Sequence, residues 1–158
     1  MSKFNYEEIA DFFIALSNKY ENLITNLKLQ KMMYYVQSWY YTVFNEKLFD
    51  KNFEAWVHGP VIPDLYHEYK GFKWKPIDKD VGEEKIKNIK SRLSDEENDI
   101  LNQVIKEYFG MSAYELERLT HAEEPWKKAR LGKEHDEPSD EIIKYKWIKN
   151  YYSQFLGN

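Results

Sequence analysis

The sequence predicts a mainly α protein, a compact single-domain helical bundle around a buried second helix. Three observations carry that prediction. Apolar residues recur at three- and four-residue steps along most of the chain. Ser94 with Glu97 and Ser112 with Glu115 form capping-box patterns just ahead of two such runs. The stretch from Thr25 or Asn26 to Phe44 contains neither Gly nor Pro and is apolar around most of its circumference, as a largely buried helix must be.

In chain order, Asn5 followed by Glu8 resembles a capping box, and Ile9, Phe12, Phe13, Leu16 and Tyr20 repeat at helical spacing, so a first helix is expected from about Tyr6 to Tyr20. After a polar turn at Glu21 and Asn22, the second helix carries Leu29, Met32, Met33, Val36, Trp39, Tyr40 and Val43 as a wide apolar stripe. Phe53 to Val57 alternates in side-chain type and reads as a short strand or hairpin near residues 53–58, ended by Gly59-Pro60. Pro63 suits the first position of a helix holding Leu65, Tyr66 and Tyr69, with Gly71 as its stop. Residues 72–93, with Pro76, Gly82 and many lysines, read as an irregular loop or weak hairpin over the core. The Ser94 box opens a helix through Ile100, Leu101, Val104, Ile105 and Tyr108 that stops at Gly110, and the Ser112 box opens a short helix with Leu116 and Leu119. Pro125 begins a further turn through Ala129, closed by Gly132. A last helix is expected over 139–156, with Ile143, Trp147, Tyr151 and Phe155 at four-residue steps.

The chain has 158 residues, no cysteine and a net charge of −4, which excludes a small disulfide-stapled secreted scaffold and favours one domain over residues 1–158. No apolar run reaches the roughly 18–20 residues of a membrane span, and Met1 to Ala10 lacks the features of a signal peptide, so the cytoplasm is the expected compartment. Neither half carries the basic surplus of a nucleic-acid binder, and direct nucleic-acid binding is not expected. Of the 27 aromatic residues, 17 lie in residues 1–72, a crowding that needs a structural cause.

Several patterns carry potential chemistry. The histidines are His58, His67, His121 and His135, and with Asp64 they raise the alternative of a metal-dependent hydrolase built from His58, Asp64, His67 and His121. There is no H-E-x-x-H, because Gly71 stands where the second histidine would be, and polar groups capping turns account for the pattern as well. Pro63-Asp64 with Glu68-Tyr69-Lys70 spells a nuclease fingerprint, but such sites place the Asp and the Glu-x-Lys on separate strands, whereas these residues share one short helix. Nothing resembles a nucleophile elbow or a phosphate-binding glycine loop. The run Lys144-Tyr145-Lys146-Trp147-Ile148-Lys149 reads as an amphipathic helix rather than a base-stacking strip. No metal or cofactor is therefore expected.

Three longer stretches are more specific. They are Leu27-Lys28-Leu29-Gln30-Lys31 with Tyr34-Tyr35, then Glu54-Ala55-Trp56 with Gly59-Pro60-Val61, Pro63 and Tyr66, and finally Leu119-Thr120-His121 with Pro125-Trp126. In this order they resemble the Panacea domain, the SocA-like antitoxin family, over about residues 5–130. The resemblance implies a compact, mainly helical, non-enzymatic domain that neutralises a cognate protein toxin by direct binding. SocA itself is described as an adaptor delivering its toxin to the ClpXP protease, which makes ClpXP a possible second partner. Many relatives carry an additional N-terminal DNA-binding module, and this chain starts at the domain itself, so binding to its own promoter is not expected. Leu29, Gln30, Lys31, Tyr34, Gly59, Pro60 and Pro63 are expected to be motif scaffold. As large apolar side chains Leu29, Met32, Met33, Trp56 and Trp126 read as core. As motif members, Trp56 and Trp126 join His58, Tyr66 and His121 as the expected partner-binding residues, with a structural hydrogen-bond network as the alternative role for His58, Tyr66 and His121.

Overall fold

The computed structural model describes residues 2–157 and is mainly helical. Helix α1 spans Tyr6–Tyr20 and α2 Asn26–Phe44; a hairpin of β1 (Glu54–Trp56) and β2 (Gly59–Val61) follows, then α3 (Pro63–Tyr69), α4 (Glu83–Ser91), α5 (Asp95–Tyr108), α6 (Ala113–Ala122), α7 (Glu124–Ala129) and α8 (Tyr145–Ser153). Buried side chains from β1 and all eight helices form one apolar cluster. Among the described residues, no helix is long and apolar enough to cross a membrane.

Helix α2 is the axis of the fold, packed against α1, α3, α5, α6, α8 and β2. Thr25 caps it by accepting from the Lys28 amide at 3.1 Å, and Asn45 closes it in the left-handed region at φ 57°. Its buried residues include Leu29, Met32, Met33, Tyr34, Tyr35, Val36 and Tyr40, whereas Val43, expected in the same stripe, is exposed. The helix also buries Asn26, Lys28, Gln30, Lys31, Gln37, Ser38 and Thr42. Most of these polar groups reach backbone elsewhere in the chain. Gln37 is the fullest case: Nε2 donates to the Phe49 carbonyl and to the Tyr145 hydroxyl, and Oε1 accepts from the Leu48 and Phe49 amides.

The cap expectations hold with one difference. Ser94–Glu97 and Ser112–Glu115 are reciprocal capping boxes. Asn5 accepts from the Glu8 amide, but the Glu8 carboxylate pairs with Arg92 at 2.8 Å, so the reciprocal half of that box is replaced by a tie to the end of α4.

Four details depart from the sequence reading. The stretch 72–93 is irregular only up to Gly82; α4 then forms because Ile86 and Ile89, one turn apart, bury against α1. Gly59-Pro60 does not end the strand segment but opens β2, with Val57 and His58 as a two-residue turn. Proline is tolerated there because its partner Ala55 faces the other way, donating to the Glu141 carbonyl and accepting from Arg130. The C-terminal helix does not start at Ser139. Residues around Glu141–Ile143 lie extended along β1, with the Ile143 amide donating to the Phe53 carbonyl at 2.8 Å and a bridge between Glu54 and Ile142. An unpaired strand edge claims them before a helix can. Because α8 begins only at Tyr145, its buried stripe is Ile148 and Tyr152; Trp147 and Tyr151 are half-buried and Phe155 is exposed.

Gly59 sits where both backbone and space demand glycine. Its φ is +107°, and a Cβ would lie 2.5 Å from Lys31 Cε and 2.9 Å from Thr120 Oγ1. Gly59→Ala is expected to destabilise the protein by roughly 2–3 kcal/mol, read as a lowered urea midpoint with an unchanged slope. Gly71→Ala, whose Cβ meets nothing within 4 Å, is the comparison and is expected to leave the midpoint within about 0.5 kcal/mol.

Candidate functional site

The three sequence stretches that stand apart in the primary structure converge on one place, where the β1–β2 hairpin lies over α2, α6 and α7. The inner layer starts at Lys31, which is 0% exposed and donates from Nζ to the Pro60 carbonyl at 3.1 Å. Burial brings its pKa down to about 7, and the charge of Glu117 only partly opposes this. One residue earlier, Gln30 accepts from the Ile62 amide at 2.9 Å and donates to Asn26, whose own amide donates to the Tyr66 carbonyl. Two adjacent side chains of α2 therefore hold both the hairpin and the start of α3.

The α6–α7 joint supplies the next layer. His121 stacks on Trp126 at 4.0 Å between ring centroids and 19° between planes, and the His135 ring approaches edge-on at 5.0 Å. Burial holds the His121 imidazole below the ordinary histidine value, with Glu117 only partly opposing, so it is neutral at pH 7; its Nε2 is buried without a partner among the described residues. Trp126 is 5% exposed, and its indole N–H donates to the Trp56 carbonyl at 2.8 Å. Arg130 lies over that indole at 4.9 Å and ties Ala55 to the Glu134–Glu137 connector.

Above these layers lies the part that meets solvent. His58, at the hairpin tip, has 70% of its side chain exposed, with Nδ1 3.2 Å from Glu117 Oε2. Trp56 is half-buried; its N–H donates to Glu54 and its ring packs edge-on against Tyr66 at 5.0 Å, with His67 beyond. The face carries Trp56 at the end of β1, His58 on the two-residue turn and Tyr66 on α3, with Glu54 and Glu117 as acidic neighbours.

The structure thus packs Trp56 against Tyr66, sets the exposed His58 beside Glu117 at the hairpin tip, and places Trp126, with His121 stacked on it, against the Trp56 backbone. Trp126, expected both as core and as a partner-binding residue, is buried: α7 begins at Glu124 and the indole donates to the Trp56 carbonyl. The scaffold residues Leu29, Gln30, Lys31, Tyr34, Gly59 and Pro60 are buried, and Pro63 is half-buried at the start of α3. The alternative metal set does not assemble: Asp64 pairs with Lys51, and among the described residues no group of three or more His, Cys, Asp or Glu comes together as a metal would need. Sequence reasoning missed Glu117 and Arg130. Glu117 is one helical turn before His121 and could have been found by that spacing; Arg130 carries no local signal.

A family model described as "Antitoxin SocA-like, Panacea domain" matches residues 29–127, from the first buried turn of α2 to just past Trp126. Comparison with curated proteins and with solved structures gives no significant match.

The buried lysine makes a pH-dependent contribution whose sign is fixed. Its folded pKa lies below the unfolded value of 10.5, so its contribution to stability is complete above that value and is lost as pH falls toward about 7. Wild-type protein is expected to gain about 2 kcal/mol, relative to a Lys31→Met variant, between about pH 7 and about pH 9. Paired urea titrations at the two pH values measure the difference; equal pH dependence in both proteins contradicts it.

Proposed function

The chain belongs to the SocA-like, Panacea-domain antitoxin family, and on that premise we propose that it neutralises a cognate protein toxin by direct binding through the hairpin face, as a stoichiometric blocker in the cytoplasm and not as an enzyme. The observation that carries this reading is the ridge of Trp56, His58 and Tyr66, exposed or half-exposed above a fully packed layer. Tryptophan and tyrosine contribute large contact area with little side-chain entropy to lose, and they dominate protein interfaces when they are held in place beforehand. Here the holding is done by Lys31, Gln30 and Trp126, each bonded to hairpin or adjacent backbone. Glu54 and Glu117 beside the ridge favour a partner surface that is basic or rich in hydrogen-bond donors.

Co-expression with the protein encoded beside it is expected to restore growth and to yield a co-purifying complex. Trp56→Ala and Tyr66→Ala are each expected to weaken that complex by at least about ten-fold, whereas Lys87→Ala on the exposed side of α4 leaves it unchanged. Melting curves of the free variants separate lost contact from lost fold. Absence of a complex, or equal affinity of all three variants, overturns the proposal. A toxin lifetime shortened in a protease-dependent manner overturns the blocking mechanism in favour of delivery to a protease.

A further inference from the structure

Between the motif residues His121 and Trp126 stands Glu123, which points the other way, into a cleft of about 700 Å³ between α5, α8 and the end of α6. The size is that of a small-ligand site. Five of its lining residues are aromatic, Trp39, Tyr108, Tyr151, Tyr152 and Phe155, and they share the walls with aliphatic side chains such as Val104 and Leu156. Neighbouring rings meet edge-on, Tyr151 against Tyr152 at 5.0 Å and 86° and Tyr151 against Phe155 at 5.2 Å and 67°.

Glu123 is 8% exposed. Its Oε1 accepts from the hydroxyls of Tyr35 at 2.8 Å and Tyr152 at 2.7 Å. Among the described residues no donor engages Oε2, and no lysine or arginine pairs with the carboxyl. Burial raises its pKa to about 7, against the opposing effect of the two tyrosine hydroxyls. A glutamine would satisfy both tyrosines without that cost, so the carboxyl is unexplained by packing. Lys106 and Glu107 both stand on the rim and offset one another in charge.

We propose that this cleft is a second recognition site, which receives the ammonium or guanidinium end of a lysine or arginine side chain from a protein partner, with Glu123 as counter-ion and the surrounding rings as cation–π walls. The buried carboxylate lacks its cation, and aromatic faces around a desolvated cation attract it further. The mouth decides for a protein over a free amine: Phe155 is 56% exposed and Leu156 is also exposed, giving an apolar margin next to the cleft that a small free cation would leave uncovered. The site does not depend on which face holds a toxin, since neither His121 nor any residue of the hairpin lines it.

The test uses the full chain and three probes at about pH 8, where the carboxyl is ionised: the capped tripeptide Leu-Arg-Leu, its citrulline counterpart, and spermidine. The readout is the indole N–H resonance of Trp39, which donates to the Tyr108 hydroxyl at 2.8 Å and lines the cleft, assigned with Trp39→Phe. The arginine peptide is expected to shift it, with at least ten-fold weaker binding by the citrulline peptide and by the Glu123→Gln protein. Tyr151→Leu, which removes a wall and leaves the carboxyl in place, is expected to weaken binding several-fold and keeps the test decisive if Glu123→Gln unfolds. No shift with the arginine peptide, equal binding of the citrulline peptide, or tighter binding of spermidine overturns the proposal.

Discussion

A helix buried around most of its circumference cannot leave its polar side chains to water, and that constraint organises this protein. Helix α2 buries seven polar residues along with its apolar ones. Each unmet buried donor or acceptor would cost on the order of 1–3 kcal/mol, and five of the seven, Asn26, Lys28, Gln30, Lys31 and Gln37, find a partner on another segment. Lys28 reaches the Phe109 carbonyl at the end of α5, Gln30 the Ile62 amide, Lys31 the Pro60 carbonyl, and Gln37 the backbone at Leu48 and Phe49. Loops and hairpin acquire fixed positions because a central helix needs their backbone groups as much as they need its side chains.

The hairpin shows what this achieves. Two strands of three residues would be marginal alone, yet this pair is bonded on every side: β2 to α2 through Lys31 and Gln30, β1 to Trp126, Arg130 and the extended segment at Glu141–Ile143. The aromatic ridge it carries is therefore ordered before any partner arrives. The crowding of aromatics into the first 72 residues has the same origin, since α2 buries Tyr34, Tyr35 and Tyr40 and the segment from Trp56 to Tyr69 is fastened over it.

How much of this was legible in the sequence follows from the range of the forces involved. Helices α5 and α6 could be read almost to the residue because a capping box is a local device. Helix α4 could not, since two isoleucines among charges make a helix only when α1 is there to cover them. The extended segment before α8 was misread because Ser139, Asp140 and Glu141 look like a helix start, and the strand edge that overrules them lies more than 80 positions earlier. At the site, the motifs located the right region but not depth. Trp56 and Trp126 are equal as motif letters, yet one borders solvent and the other supports it.

Glu123 illustrates why depth matters for function. As a letter it is a spacer between the histidine and the tryptophan of the third motif. In the fold, a short joint between two helices turns successive side chains to opposite sides: His121 packs under the hairpin while Glu123 meets Tyr35 and Tyr152. Tyr35 also stacks on Tyr108 at 4.0 Å and belongs to the helix that carries Lys31, so the hairpin face and the aromatic cleft share α2 and the α6–α7 joint as supports. A rigid support of this kind keeps two surfaces at a constant separation and orientation. Binding at one then leaves the geometry of the other unchanged, so a partner large enough to reach both would gain from the second contact without a further cost of ordering the protein.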